Sequence, residues 1–345
     1  MPESSRREPI PVIAVTGYLG AGKTSLLNHV LRTPHARIGV IVNDFGDINV
    51  DAGLVSGQVD EPASIAGGCI CCLSDDTELD AALTRLADPR LRLDAIIIEA
   101  SGLADPVSLA RMVGFSEVAG VRDGGVVDVI DAATHFEMVD DGGVPPARYG
   151  AATLVVVNKL DRIPESDRAA FLDRIQDRVR QRNPRAQIVG AIDGRIDSAL
   201  LYDIASAQDE FGQLSFRDAL FETGTEPDAD HHHVHADAVT VAGEGAVDPL
   251  ALVELLEDPP AGVYRLKGTV AIRQRSSTRV FVVNVVGSAV HVARAPARTV
   301  PDGLVAIGMH LDTEAVRIRL SKALRPTTAP PTAAAARRLQ RYLHK

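Results

Sequence analysis

The 345-residue chain has no tryptophan, and aromatic residues make up only 4% of it. Its core must therefore be built from Val, Ile, Leu and Ala, and an apolar share of 46% is enough to build one. Cysteine is scarce as well, three in all, which excludes a disulfide scaffold. The apolar runs are no longer than strands, so a membrane-spanning helix is not expected. Positive charge is in deficit, with 36 Lys and Arg against 46 Asp and Glu and a net charge of −10. That balance argues against general nucleic-acid binding. Met1–Arg7 is polar and charged, without the apolar segment of a signal peptide, and a cytoplasmic location is the expectation.

What is present is ordered alternation. Strand-like segments at Val12–Thr16, Ile38–Val42, Ala95–Glu99, Val126–Ile130, Thr153–Val157 and Gln187–Ala191 alternate with helix-like ones. The helical segments are Ser25–Arg32, Glu78–Leu86, Pro106–Val113, Glu165–Arg182 and Asp197–Ala207. This pattern predicts an α/β domain over 11–222, a mostly parallel sheet with helices on both faces, after a polar extension over 1–10. Residues 223–237 shift to Gly, Pro, acids and histidine and read as a linker. Over 238–325 the pattern predicts a smaller α+β domain, with strands at Tyr264–Ile272, Arg279–Val286 and Val305–Ile307 and helices at Asp248–Leu256 and Thr313–Leu324. Residues 326–345, rich in Pro, Ala and Arg, read as a mobile tail.

Residues 17–24, Gly-Tyr-Leu-Gly-Ala-Gly-Lys-Thr, match the phosphate-binding loop G-x-x-x-x-G-K-[ST] between a strand and a helix. There Gly17, Gly20, Ala21, Gly22 and Ser25 offer backbone N–H groups to a phosphate chain. Lys23 reaches the terminal phosphates and Thr24 reaches Mg²⁺. Asn158-Lys159-Leu160-Asp161 follows a buried strand. Asp161 can accept from both the guanine N1–H and its 2-amino group, a donor pair adenine lacks, and Asn158 can tie this loop to the phosphate loop. A capped turn is the plainer alternative. Glu99 ends another apolar strand, the usual place for a second Mg²⁺ anchor, or for a capping carboxylate.

All three cysteines fall within Cys69-Ile70-Cys71-Cys72. Clustered thiols in a reducing compartment suit a soft or borderline ion such as Zn²⁺, with a redox pair or buried structural cysteines as alternatives. Asp44, Asp47 and Asp51 follow the second strand, where a nucleotide switch would lie, and Asp47 is a further candidate for Mg²⁺. Asp44 and the tract His231, His232, His233 and His235 are candidates for a secondary metal site, or else solvated loops.

Taken in order, the phosphate loop, Asn43-Asp44-Phe45-Gly46, Gly68-Cys69-Ile70-Cys71-Cys72, Glu99-x-Ser101-Gly102-Leu103-Ala104-Asp105-Pro106 and Asn158-Lys159-x-Asp161 resemble the CobW-type GTPases. These are SIMIBI-class P-loop proteins related to the nickel-insertion GTPases of urease and hydrogenase. Arg265-Leu266-Lys267-Gly268 is similar to the entry strand of the family's C-terminal domain. The resemblance departs at Asp44 and Asp47, where the family carries Asn-Glu-Phe-Gly-Glu, each side chain here being one methylene shorter. It implies a GTP-hydrolysing metallochaperone that uses Lys23, Thr24 and Glu99 for catalysis. GTP, Mg²⁺ and Zn²⁺ or Co²⁺ would be its ligands and a client metalloprotein its partner, with a homodimer as one assembly. Two rivals stay open. One is a metal-responsive regulator or zinc-sequestering protein without delivery. The other is an accessory GTPase for one metalloenzyme, such as a cobalamin-pathway chelatase or a nitrile hydratase.

Overall fold

The computed structural model describes residues 8–33, 36–42, 63–64, 77–101, 105–202, 236–274, 277–295 and 299–343. Its first sheet contains β1 (Ile10–Thr16), β2 (Ile38–Val42), β3 (Ala63–Ser64), β4 (Ala95–Glu99), β5 (Val121–Asp131), β6 (Leu154–Asn158) and β7 (Gln187–Gly190). The order is β3-β2-β4-β1-β5-β6-β7, and every pairing is parallel. The crossovers carry α1 (Lys23–Leu31), α2 (Thr77–Leu86), α3 (Pro106–Phe115), α4 (His135–Met138) and α5 (Glu165–Arg180).

The reason is visible in β1. Successive strand side chains point to opposite faces, so a strand covered on both sides must be apolar throughout. Ile13 and Val15 join Leu26, Leu27 and Val30 of α1 on one face. Val12 and Ala14 join Leu79 and Leu83 of α2 and Leu109 of α3 on the other.

A second sheet follows, made of β8 (Asp237–Ala242), β9 (Val263–Arg273), β10 (Thr278–Val286), β11 (Ala289–Arg294) and β12 (Gly303–Gly308). It is antiparallel throughout, in the order β11-β10-β9-β12-β8. Helices α6 (Pro249–Glu257), α7 (Thr313–Ala323) and α8 (Ala333–Gln340) accompany it. Leu252, Leu256, Val316, Leu320 and Leu339 share its core. The sheets also meet each other: Tyr264 and Val286 of the second, with Met309 just beyond β12, sit in the same core as α1 and β6. The Tyr264 hydroxyl lies 3.2 Å from Thr153 Oγ1, and Arg265 Nη1 donates to the Ala199 carbonyl at 2.8 Å.

Three expectations change. β8 and β11 were not legible because both are edge strands, half exposed along their length. The helix expected over Asp197–Ala207 is, in its described part, a single 3₁₀ turn at Ser198–Leu200, capped by Asp197. Beyond that turn Leu201 and Tyr202 enter the core, and the Tyr202 hydroxyl donates to the Val30 carbonyl. The stretch expected as a mobile tail instead carries α8. Thr332 caps it, Leu339 is buried, and both Arg338 and the Tyr342 hydroxyl bond Glu257 of α6.

Candidate nucleotide site

The carboxyl ends of β1, β4, β5 and β6 carry Gly17, Glu99, Asp131 and Asn158 to one edge of the sheet, where open α/β folds bind ligands. The glycine-rich loop runs from there into the N-terminus of α1. Gly17 has φ 147°, and a Cβ on it would stand 2.3 Å from the Val129 carbonyl oxygen. Gly22 has φ 103°, and a Cβ there would meet Asn158 Nδ2 at 2.0 Å. Only glycine fits either position.

Asn158 is 1% exposed and joins two loops. Its Nδ2 donates to the Ala21 carbonyl at 2.9 Å, and its Oδ1 accepts from Gly194 N at 2.8 Å. Lys159 adopts φ 59°, and its Nζ pairs with Asp131 Oδ2 at 2.6 Å, linking the ends of β6 and β5. Asp161 stands two residues on, exposed, in the 3₁₀ turn Leu160–Arg162. Lys23 is 8% exposed and bends back over the loop, donating to the Gly17 carbonyl at 3.1 Å. Thr24 Oγ1 donates to Glu99 Oε1 at 2.8 Å, and Glu99 is itself buried.

The structure thus brings together Gly17, Gly20, Ala21, Gly22, Lys23, Thr24, Ser25, Glu99 and Asn158, with Lys159 and Asp161 alongside. The expected sites at Asp44, Asp47 and Asp51, at Cys69, Cys71 and Cys72, and at His231, His232, His233 and His235 lie outside the described residues. Among the described residues no group of three or more His, Cys, Asp or Glu could hold a metal ion. No helix among them is long and apolar enough to cross a membrane.

Sequence reading missed four contributors: Asp128, Asp131, Arg148 and Gly194. Asp131 ends an apolar strand, the same signal that marked Glu99. Asp128 interrupts the otherwise apolar run Val126–Ile130, a sign of a buried partner. That partner is Arg148, whose Nε and Nη2 reach the two Asp128 oxygens at 2.9 and 2.6 Å. Burial opposes the Arg148 charge, but the Asp128 carboxylate outweighs it and raises the guanidinium pKa. Nothing in the sequence pairs residues 128 and 148 or brings Gly194 to Asn158.

A glycine-rich loop opening a helix, joined through an asparagine to an N-K-x-D turn on a parallel sheet, defines a P-loop GTPase domain. Comparison with known proteins places it more closely. The family model "CobW/HypB/UreG, nucleotide-binding domain" matches residues 11–190, and the "Cobalamin synthesis protein cobW C-terminal domain" matches 236–324. The chain belongs to the CobW/HypB/UreG family. It is 33% identical over 202 residues to the zinc chaperone YjiA of Escherichia coli, a match covering 56% of this chain and 61% of that protein. It is 29% identical over 349 residues to the zinc chaperone CobW of a Sinorhizobium species, covering 90% and 96%. To the zinc-regulated GTPase metalloprotein activator 1 of Schizosaccharomyces pombe it is 29% identical over 249 residues, covering 67% and 59%.

Proposed function

We propose that this chain hydrolyses GTP and uses the nucleotide cycle to carry Zn²⁺, or Co²⁺, to a client metalloprotein. The observation that carries the nucleotide half is Asn158, which clips the base-reading turn to the phosphate loop. Backbone amides of Gly17–Thr24 and the Lys23 ammonium hold the phosphates, and Asp161 selects guanine. Thr24 and Glu99 bring two hard oxygens together at the mouth of the loop, a donor set that suits Mg²⁺, with Asp47 as a third candidate. Held by these residues, Mg²⁺ would supply positive charge against the phosphate oxygens. Lys23 adds to that charge by leaving the Gly17 carbonyl for the terminal phosphate.

Cys69, Cys71 and Cys72 are the proposed cargo ligands, leaving a fourth position open for exchange. The names of the relatives, zinc chaperones and a zinc-regulated metalloprotein activator, support zinc as the cargo. The proposed coupling is reciprocal: if GTP tightens metal binding, metal tightens GTP binding by the same factor, typically about 5–150-fold.

The test titrates Zn²⁺ against a chromophoric chelator in apo, GDP-bound and GTP-analogue-bound protein. A Cys69→Ser, Cys71→Ser, Cys72→Ser variant is the blank. Metal affinity that rises with the GTP analogue, followed by transfer to an acceptor on hydrolysis, is the expected result. Equal affinities in all three states would reject coupled delivery. Asp161→Asn should shift preference from GTP to xanthosine triphosphate, and equal ATP and GTP binding by the unmodified protein would reject the guanine assignment.

A further inference from the structure

The side chains of Asp128, Arg148 and Tyr18 meet beside the first half of the phosphate loop, and the reading above gives none of these side chains a role. Asp128 is fully buried in mid-β5 and takes both bonds of the Arg148 fork, while Thr16 Oγ1 donates to its Oδ1 at 3.0 Å. Arg148 is 9% exposed, and its guanidinium carbon lies 4.4 Å from the centroid of the Tyr18 ring. Tyr18 is the second residue of the loop.

A buried ion pair by itself is weak evidence for stability, but this guanidinium has a second contact beyond Asp128. The Tyr18 ring face is that contact. The turn carrying Arg148 is itself anchored, because the neighbouring Tyr149 hydroxyl donates to Asp140 Oδ2 at 3.0 Å. The cation is thus held from the strand side, by contacts that do not involve the loop.

The loop needs such a hold at this end. Its second half is fixed by Asn158 at Ala21. Its first half has glycine at positions 17 and 20, with φ of 147° and 76°, and the side chains of Tyr18 and Leu19 are exposed. Lys23 donates to the Gly17 and Tyr18 carbonyls, at 3.1 and 3.4 Å. When Lys23 turns to a phosphate it gives up those bonds, and the Arg148 stack stays behind.

We propose that Arg148 is a positioning residue for the phosphate loop, clamping the Tyr18 ring so that the loop is already shaped when the nucleotide's phosphates arrive. This rests on the reading of Gly17–Thr24 as the phosphate cradle. The clamp acts on nucleotide affinity by lowering the ordering cost of binding.

The test measures GDP and GTP-analogue dissociation constants on the full chain. Tyr18→Leu removes the ring and leaves the ion pair intact. Tyr18→Phe keeps the ring. Asp128→Asn with Arg148→Gln removes the cation without leaving a buried charge unpaired. Tyr18→Leu and the Asp128/Arg148 double variant should each weaken binding by roughly three- to thirty-fold. Tyr18→Phe keeps the ring face and gives up only the hydroxyl's interaction with Arg148, so it should retain most of the affinity that Tyr18→Leu loses. The triple variant should be no weaker than either parent, since both changes remove one contact.

If the double variant does not fold, Tyr18→Leu against Tyr18→Phe decides. Unchanged affinity in Tyr18→Leu, with binding lost in Lys23→Ala, overturns the clamp and leaves the cradle standing. Unchanged affinity in Lys23→Ala overturns the cradle itself.

Discussion

At the scale of single residues, Asn158 carries the most consequence. Its buried amide satisfies a carbonyl of one loop and an N–H of another. Asn158→Ala leaves two buried backbone groups unpaired and should cost about 2–4 kcal/mol of stability. Denaturant unfolding of the unmodified and variant proteins measures that loss. Nucleotide affinity should fall with it, because Ala21 and the turn before Asp161 lose their common tie. A variant as stable as the parent would show that water fills the gap.

Among the elements, the crossover from β5 to β6 contains a buried polar chain with a definite pH response. His135 Nε2 bonds the Tyr149 hydroxyl, which donates to Asp140, and Asp140 is forked by Arg178. His135 Nδ1 has no partner among the described residues, so a second proton there is not stabilised. Burial lowers the His135 pKa to about 4, although Asp128 and Asp140 pull the other way. The unfolded chain takes up that proton near pH 6.5 and the folded chain only near pH 4. Stability from this group is therefore complete above pH 6.5 and lost as pH falls towards 4, by on the order of 3 kcal/mol. Denaturation midpoints measured from pH 7 to 4 should show this slope, and His135→Gln should flatten it.

The C-terminal helix α8 makes a second prediction at this scale. Leu339 is 4% exposed against α6 and the second sheet. Leu339→Ala should cost about 2–4 kcal/mol, read from the thermal midpoint, whereas a mobile tail would show no change.

In the whole molecule, the two sheets share apolar contacts rather than only a linker. Tyr264 is fully enclosed, its hydroxyl on Thr153 at the foot of β6, and burial pushes its pKa up to about 12. Arg265 reaches the Ala199 carbonyl, and Arg122 Nη2 donates to Asn284 Oδ1 at 3.3 Å. Unfolding should therefore be one cooperative transition, seen alike by calorimetry and by circular dichroism. Tyr264→Ala removes the main apolar bridge, costs roughly 3–5 kcal/mol, and should separate that transition into two. Two transitions in the unmodified protein would show that the contact is too weak to couple the sheets.

Much of this protein is determined locally and can be read from the chain. The apolar runs before Gly17, Glu99 and Asn158 demand buried parallel strands, because their side chains face cover on both sides. The loop at 17–24 and the turn at 158–161 each carry their chemistry within a few residues, so their motifs are legible without a fold. Edge strands β8 and β11 are half exposed and show no strong period, and α8 is hidden by a composition typical of loops. Only tertiary structure joins residues 18, 128 and 148, or brings Gly194 to Asn158. These contacts depend on which strands lie side by side, and a parallel sheet brings together residues far apart in the chain by a strand order that no local pattern encodes.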